Sequence, residues 1–151
     1  VQQELPDAHY IVRTAWLYGR EGSNFVKTML RLEAERDTVD VVDDQVGQPT
    51  YAADLAAQIA ILVDARPVAG VFHGTNAGTV SWHGFTQEIF RLIGADPGRV
   101  RAVTSEQFVR PAPRPAYSVL GHGGWAENGL SPMRSWRDAL SQAISHLATS
   151  D

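Results

Sequence analysis

From Tyr10 to Asp54 the chain alternates extended and helical signals in an order that points to one class of fold. Tyr10-Ile-Val-Arg-Thr-Ala-Trp-Leu-Tyr-Gly19 is a strand-like run that ends in aromatics and a glycine. Asn24-Phe-Val-Lys-Thr-Met-Leu30 follows at helical spacing, then the short apolar run 39–42, then a polar loop closed by Pro49-Thr50. Such alternation of strand and helix is the pattern of an α/β fold. It sets polar and aromatic side chains just past the C-terminal ends of strands, where open α/β sheets take their ligands.

The flanking segments extend the pattern. Residues 1–5 read as the tail of a helix, broken at Pro6-Asp7. Segment 9–16 lacks clean alternation and is expected as a parallel-type strand buried on both faces. Ser23 or Asn24 can cap the next helix, with Phe25, Met29 and Leu32 on its inner face and Arg31, Glu33, Glu35 and Arg36 toward water. Pro49 keeps Gln48 out of helical backbone. Segment 51–63 is the strongest helical signal, with Leu55, Ile59, Leu62 and Val63 as its apolar stripe. A short strand, 71–73, precedes Gly74-Thr75-Asn76, and Ser81 caps a helix that Gly94 stops after Ile93. Segment 99–103 is extended, and Thr104 or Ser105 starts a short helical turn. Segment 108–118, with three prolines, is an ordered loop of little regular structure. A closing helix, 136–147, turns Trp136, Leu140, Ile144 and Leu147 inward. No repeat or long linker divides the chain, so residues 1–151 read as one region.

Composition narrows the function classes. At 151 residues, 44% hydrophobic and 20% charged, the chain can bury a core of its own and is not of the disordered type. No apolar run is long enough to cross a membrane, and Val1-Gln-Gln-Glu4 carries no signal-peptide pattern. The absence of cysteine removes disulfides, thiol nucleophiles and Cys-based zinc sites, and makes a reducing cytoplasm the default. The net charge is −4, yet Arg99, Arg101, Arg110 and Arg114 stand against one acid, Glu106, between 99 and 114. A short basic segment in an acidic chain suits a small phosphorylated ligand, whereas a nucleic acid would need a broader basic face.

Each residue that could carry chemistry has a plainer reading beside it. Trp16 and Tyr18 end the first strand-like run. They are either a flat wall for a sugar or nicotinamide ring or ordinary core, and the company of Arg13, Thr14 and Gly19 balances the two. Asn24 caps a helix or offers its amide to a phosphate; Lys27, one turn on, adds charge or is simply solvated. Asp43 and Asp44 are adjacent, so their side chains diverge and a shared metal is not expected. Gln45, Gly47 and Pro49-Thr50 look shaped: Gly47 permits unusual backbone angles and Thr50 can cap the following helix. Asp54 suits that helix's first turn. None of the five histidines forms a spaced metal pair. His73 reads as a satisfied buried histidine, and His122 sits in a flexible loop, Gly121-His-Gly-Gly124. There is no nucleophile elbow, no Gly-x-Gly-x-x-Gly after a strand and no P-loop. Arg114, between Pro113 and Pro115, is either a guanidinium stiffened for bidentate phosphate recognition or a surface arginine.

Together, Arg13-Thr-Ala-Trp-Leu-Tyr18, Asn24-Phe-Val-Lys-Thr-Met-Leu30, Asp44-Gln-Val-Gly-Gln-Pro-Thr-Tyr-Ala-Ala-Asp-Leu55, Gly70-Val-Phe-His73, Ser81-Trp-His-Gly-Phe85 and Arg114-Pro-Ala-Tyr-Ser-Val-Leu120 resemble the C-terminal half of the dTDP-4-dehydrorhamnose reductases. These belong to the extended short-chain dehydrogenase/reductase superfamily. The likeness runs from about Ala8 to Leu147. It implies the C-terminal part of a Rossmann-like parallel sheet plus a small mixed α/β substrate-binding lobe. It also implies a whole enzyme that takes hydride from NADPH or NADH to reduce the 4-keto group of dTDP-6-deoxy-L-lyxo-4-hexulose, giving dTDP-L-rhamnose.

In that family a Tyr-x-x-x-Lys pair and a Gly-rich turn do the catalytic and dinucleotide work, in the half that precedes the matched one. Here Tyr10 is followed four residues on by Thr14 and Tyr51 by Leu55, so neither makes the pair. The resemblance gives Trp16 the role of packing against the sugar, and Asn24 and Arg114 that of contacting the diphosphate. With Lys27 and Gln45 these form the expected substrate-binding set, and Tyr18 is the expected cofactor contact. No catalytic residue or metal site is expected in this stretch, nor tight cofactor binding by it alone, nor reductase turnover. Its expected partners are a dTDP-sugar, an N-terminal nucleotide-binding half, and a second copy in a homodimer through an exposed strand edge. Another nucleotide-sugar reductase or epimerase, a reductase-like regulatory subunit and a stand-alone binding module are the rival readings.

Overall fold

The computed structural model describes residues 1–107, 112 and 114–147. In chain order the elements are β1 (Tyr10–Arg13), β2 (Leu17–Tyr18), α1 (Phe25–Glu35), β3 (Val39–Val42), β4 (Val46–Gly47), β5 (Thr50–Tyr51) and α2 (Ala52–Ala65). Then come β6 (Gly70–His73), β7 (Val80–Ser81), α3 (Trp82–Leu92), β8 (Val100–Val103), α4 (Gly123–Glu127) and α5 (Trp136–Leu147), with 3-10 turns at Pro97–Arg99 and Ser105–Gln107.

Two parallel pairs carry the architecture. β1 runs beside β6, Tyr10 opposite Gly70 and Arg13 opposite His73. β3 runs beside β8, Val39 opposite Val100 and Val42 opposite Val103. Each partner arrives only after a helix-bearing crossover, as parallel pairing requires. A short parallel contact, β2 with β5, and a short antiparallel one, β4 with β7, tie the two together. Parallel sheet pieces in a mixed α/β arrangement agree with the expected α/β class.

Each pair has its own core. Around β3 and β8, helices α1, α3 and α5 bury Val26, Met29, Phe85, Ile89, Leu140 and Ile144. Around β1 and β6 the core is small: Leu62 from α2, Phe72 from β6 and Trp125 from α4. The capping signals act as read: the Asn24 side chain accepts from the Lys27 amide, the Ser81 side chain accepts from the Gly84 amide, and Gly94 takes a left-handed backbone (φ 79°) past α3.

Several expectations need correction. Residues 1–5 make one turn, with the Leu5 amide donating to the Val1 carbonyl (2.8 Å), and no helix. The first strand ends at Arg13, because Trp16 turns into left-handed backbone (φ 48°) before β2 resumes. It is half-buried, with one hydrogen-bonded neighbour among the described residues. The α2 stripe fails as predicted: Leu62 and Gln58 are buried, whereas Ile59 is 38% and Val63 55% exposed. Alanine and aliphatic residues surround that helix, so periodicity could not choose its inner face. Glu33 is half-buried and ion-paired to Arg99. The segment around His122 is a structured entry to α4. Of the proline-rich segment, residues 108–111 and 113 lie outside the described residues.

Candidate functional site

The turn between β1 and β2 puts Trp16 where three segments meet. An aromatic residue in left-handed backbone costs about 1–3 kcal/mol and persists only when its surroundings fix it. Thr50 does part of this: its amide donates to the Trp16 carbonyl (3.1 Å) and its hydroxyl to the Ala15 carbonyl (2.7 Å). That is the role of the Thr50 hydroxyl. It does not cap α2, whose N-cap is Tyr51; the Tyr51 amide donates to the buried Asn76 side chain instead (2.8 Å).

The Trp16 indole lies parallel to that of Trp82, ring centroids 3.5 Å apart and planes 13° from coplanar. On another side it meets Gly47, where a Cβ would fall 2.6 Å from both Cε2 and Cζ2 of Trp16 and 3.0 Å from the Ser118 hydroxyl. Close approach is therefore what glycine supplies at 47. Its φ is not positive, contrary to the expectation of unusual angles. The indole stays half-buried.

A strap completes this face. The Val46 amide donates to the Ala116 carbonyl (2.8 Å), and the Ser118 amide donates back to the Val46 carbonyl (2.9 Å). The buried Gln48 side-chain carbonyl accepts from the Leu120 amide (2.8 Å) and from the Thr75 hydroxyl (3.0 Å). Arg114 lies two residues before Ala116, where this strap begins. Arg114 is exposed, and no described residue pairs with it. Tyr117 beside it is 66% exposed.

The other expected site residues have local duties. Asn24 is held at both ends of its amide, donating to the Gly19 carbonyl (2.8 Å) and accepting from the Lys27 amide (3.1 Å). Lys27 Nζ donates to the Arg20 carbonyl, closing the same loop. Gln45 donates to the Ser105 hydroxyl (2.7 Å), and Ser105 donates to Asp44 through its amide and its hydroxyl. Tyr18 is 2% exposed, packed against Tyr51 and Phe85, so its ring offers no face to a cofactor in this structure. The buried Tyr18 hydroxyl has no partner among the described residues, and burial above all raises its pKa.

His73 is half-buried, its Nδ1 2.8 Å from the Gly121 carbonyl. His122 Nε2 lies 2.8 Å from the Thr75 hydroxyl; desolvation, then the neighbouring His73, lowers its pKa. Among the described residues no group of three or more His, Asp or Glu could hold a metal. A separate groove of about 430 Å³ runs between α2 and the segment after α4, lined in part by Asp54, Ile61, Leu130 and Arg134.

Sequence reasoning missed Trp82, Gln48, Thr75 and Asn76. Trp82 reads as one more apolar residue at a helix start. The other three are polar residues whose partners lie 22 to 72 residues away.

Comparison with known proteins fits this geometry. The chain matches the RmlD substrate binding domain over residues 1–149. It is 58% identical to a dTDP-4-keto-6-deoxy-D-glucose reductase of Streptomyces niveus, over 93% of this chain and 48% of that protein. It is 54% identical to a dTDP-4-dehydrorhamnose reductase of Streptomyces griseus, over 95% of this chain and 49% of the relative. The solved dTDP-4-dehydrorhamnose reductase of Bacillus anthracis, in complex with NADP, superposes with a TM-score of 0.88 at 41% identity, over 95% of this chain and 50% of that one. The chain thus spans about half the length of the curated relatives it matches.

Proposed function

The chain belongs to the RmlD substrate binding domain family, and we propose that it supplies the sugar-nucleotide-gripping half of a reductase acting on a dTDP-4-keto-6-deoxyhexose. The observation that carries this is the half-buried Trp16 indole, stacked on Trp82, in close contact with Gly47 and bordered by the strap that follows Arg114. A rigid flat ring suits the C–H face of a hexose. An exposed guanidinium at the start of the bordering strap suits a diphosphate. Asn24, Lys27 and Gln45 serve the site by holding its loops, and a direct diphosphate contact by Asn24 would require it to exchange a present hydrogen bond.

Hydride and proton transfer belong, in this reading, to a dinucleotide-binding half such as the relatives possess beyond the matched region. NADPH or NADH supplies the hydride when bound there; this chain's residues orient the sugar and exclude water on its far side. The two Streptomyces relatives differ in the sugar their names carry, so we propose the class of 4-keto-6-deoxy sugar and favour dTDP-4-dehydrorhamnose among its members. A cytoplasmic setting agrees with the cysteine-free sequence. Pairing with a second copy agrees with the open β1 edge.

Calorimetric titration tests the reading. The chain is expected to bind dTDP-glucose more tightly than dTDP, and Arg114→Ala to weaken both by about tenfold. Absorbance with excess NADPH and keto-sugar is expected to stay flat. Equal affinity for dTDP and dTDP-glucose, or turnover by the chain alone, would defeat the assignment.

A further inference from the structure

We infer that Gly47 and Trp82 are positioning residues that set the plane of the Trp16 indole, and through it the sugar-dependent part of affinity; this rests on the reading of Trp16 as the sugar-facing wall. Four observations converge. The Trp16 backbone is left-handed (φ 48°), a conformation bulky side chains rarely adopt. Hydrogen bonds from Thr50 fix that backbone but leave the ring free to rotate about its side-chain bonds. Trp82 then covers one ring face at 3.5 Å, and Gly47 lies so close to the ring that a methyl group there would overlap two of its carbons at 2.6 Å.

The two jaws form one unit. Gly47 pairs with Val80 in the β4–β7 contact, and Trp82 opens α3 directly after β7. Trp82 is itself braced by Phe25 at 4.4 Å, Phe25 stacks on Phe85, and Phe85 meets Trp136 in the core of the lobe. The indole is therefore set from the lobe's interior outward. Any side chain at 47 displaces it, and any loss at 82 lets it tilt.

Two readouts test this on the chain. The first is the far-ultraviolet exciton couplet of two stacked indoles, expected in the wild type, abolished in Trp16→Phe and Trp82→Phe, and altered in Gly47→Ala. The second is calorimetric titration with dTDP and with dTDP-glucose. Gly47→Ala and Trp82→Ala are expected to keep dTDP affinity within about twofold and to cut the added affinity for dTDP-glucose about tenfold, with Trp82→Phe restoring part of it. Thermal unfolding confirms that each variant is folded; should Gly47→Ala not fold, Trp82→Ala against Trp82→Phe decides.

A wild type without the couplet, a Gly47→Ala couplet identical to wild type, or an unchanged sugar increment in Trp82→Ala overturns the proposal. A wild type that shows the couplet yet binds dTDP and dTDP-glucose alike defeats the reading of Trp16 as a sugar wall. The couplet of Gly47→Ala then decides alone whether Gly47 sets the ring.

Discussion

Arg134 and Asp54, 80 residues apart in sequence, form a two-pronged ion pair: Nε to Oδ2 at 2.8 Å and Nη2 to Oδ1 at 2.7 Å. Asp54 lies in the first turn of α2, and its carboxylate also accepts from Asn76 Nδ2 (2.8 Å). Asn76 in turn accepts from the Tyr51 amide that opens α2. One acid thus locks the start of α2, the end of β6 and the approach to α5 together.

Removing that carboxylate strands two guanidinium donors and weakens the hold on Asn76. Asp54→Ala is expected to lower the unfolding free energy by about 2 kcal/mol. In urea the midpoint should fall at an unchanged slope. An unshifted midpoint would mean that water replaces the carboxylate without loss.

Tyr18 yields a prediction of opposite sign. Its buried hydroxyl has no partner among the described residues, so it is desolvated without compensation. Tyr18→Phe is expected to raise stability by about 1 kcal/mol, read as a higher melting temperature. Burial, followed by the negative Asp54, raises the phenol pKa, so the folded state keeps a proton that an unfolded tyrosine releases above about pH 10. Stability of the wild type then falls as pH climbs past that value, and Tyr18→Phe loses this share of the fall. A lower melting temperature in the variant would show that the hydroxyl is bonded.

How much of this was legible depends on distance along the chain. The α1 and α3 caps, the Gly94 stop and the inward face of α5 follow from neighbours within a few residues, and the sequence states them. The α/β class follows from their order. Trp16 could be singled out because it stands at the end of a strand-like run in the sequence, but its stacking on Trp82 needs a register between β4 and β7 that two-residue strands do not advertise. Gly47 was recognised as special for the wrong reason: ring contact, not backbone angle, requires it. Thr50, adjacent to the helix, looked like a cap, yet its hydroxyl serves the Trp16 turn 35 residues back. The long-range polar residues of the strap, Gln48 and Thr75, carry no local signal at all.

His122 makes stability depend on pH. Its pKa is lowered by desolvation and then by His73, so the native ring resists the proton that the unfolded chain accepts near the ordinary value of about 6.5. Between the lowered and ordinary values the unfolded state binds more protons, so stability falls as the solution is acidified. It is fully present above the unfolded pKa and is lost as pH drops through the folded one. His122→Gln, which keeps a donor near the Thr75 hydroxyl, is expected to flatten the stability profile between about pH 7 and pH 5. Urea midpoints across that range check it; parallel profiles for variant and wild type would assign the dependence elsewhere.

Arg99 closes the C-terminal end of α1 from outside the helix. Its guanidinium donates to the carbonyls of Glu33 (2.7 Å), Arg36 (2.6 Å) and Asp37 (2.9 Å) and to the Glu33 carboxylate (2.6 Å). It also lies over the Phe90 ring at 5.6 Å. The last carbonyls of a helix lack intrahelical partners, and a cation there is favoured by the helix dipole. Lysine keeps the charge but not the planar fork, so it can serve fewer of these acceptors at once. Arg99→Lys is therefore expected to cost about 1–2 kcal/mol, and Arg99→Ala more. Amide exchange should show the loss first at the C-terminal turn of α1 and at the paired strand β3 that follows it. Uniform exchange change across the chain would instead mean that Arg99 stabilises only the global fold.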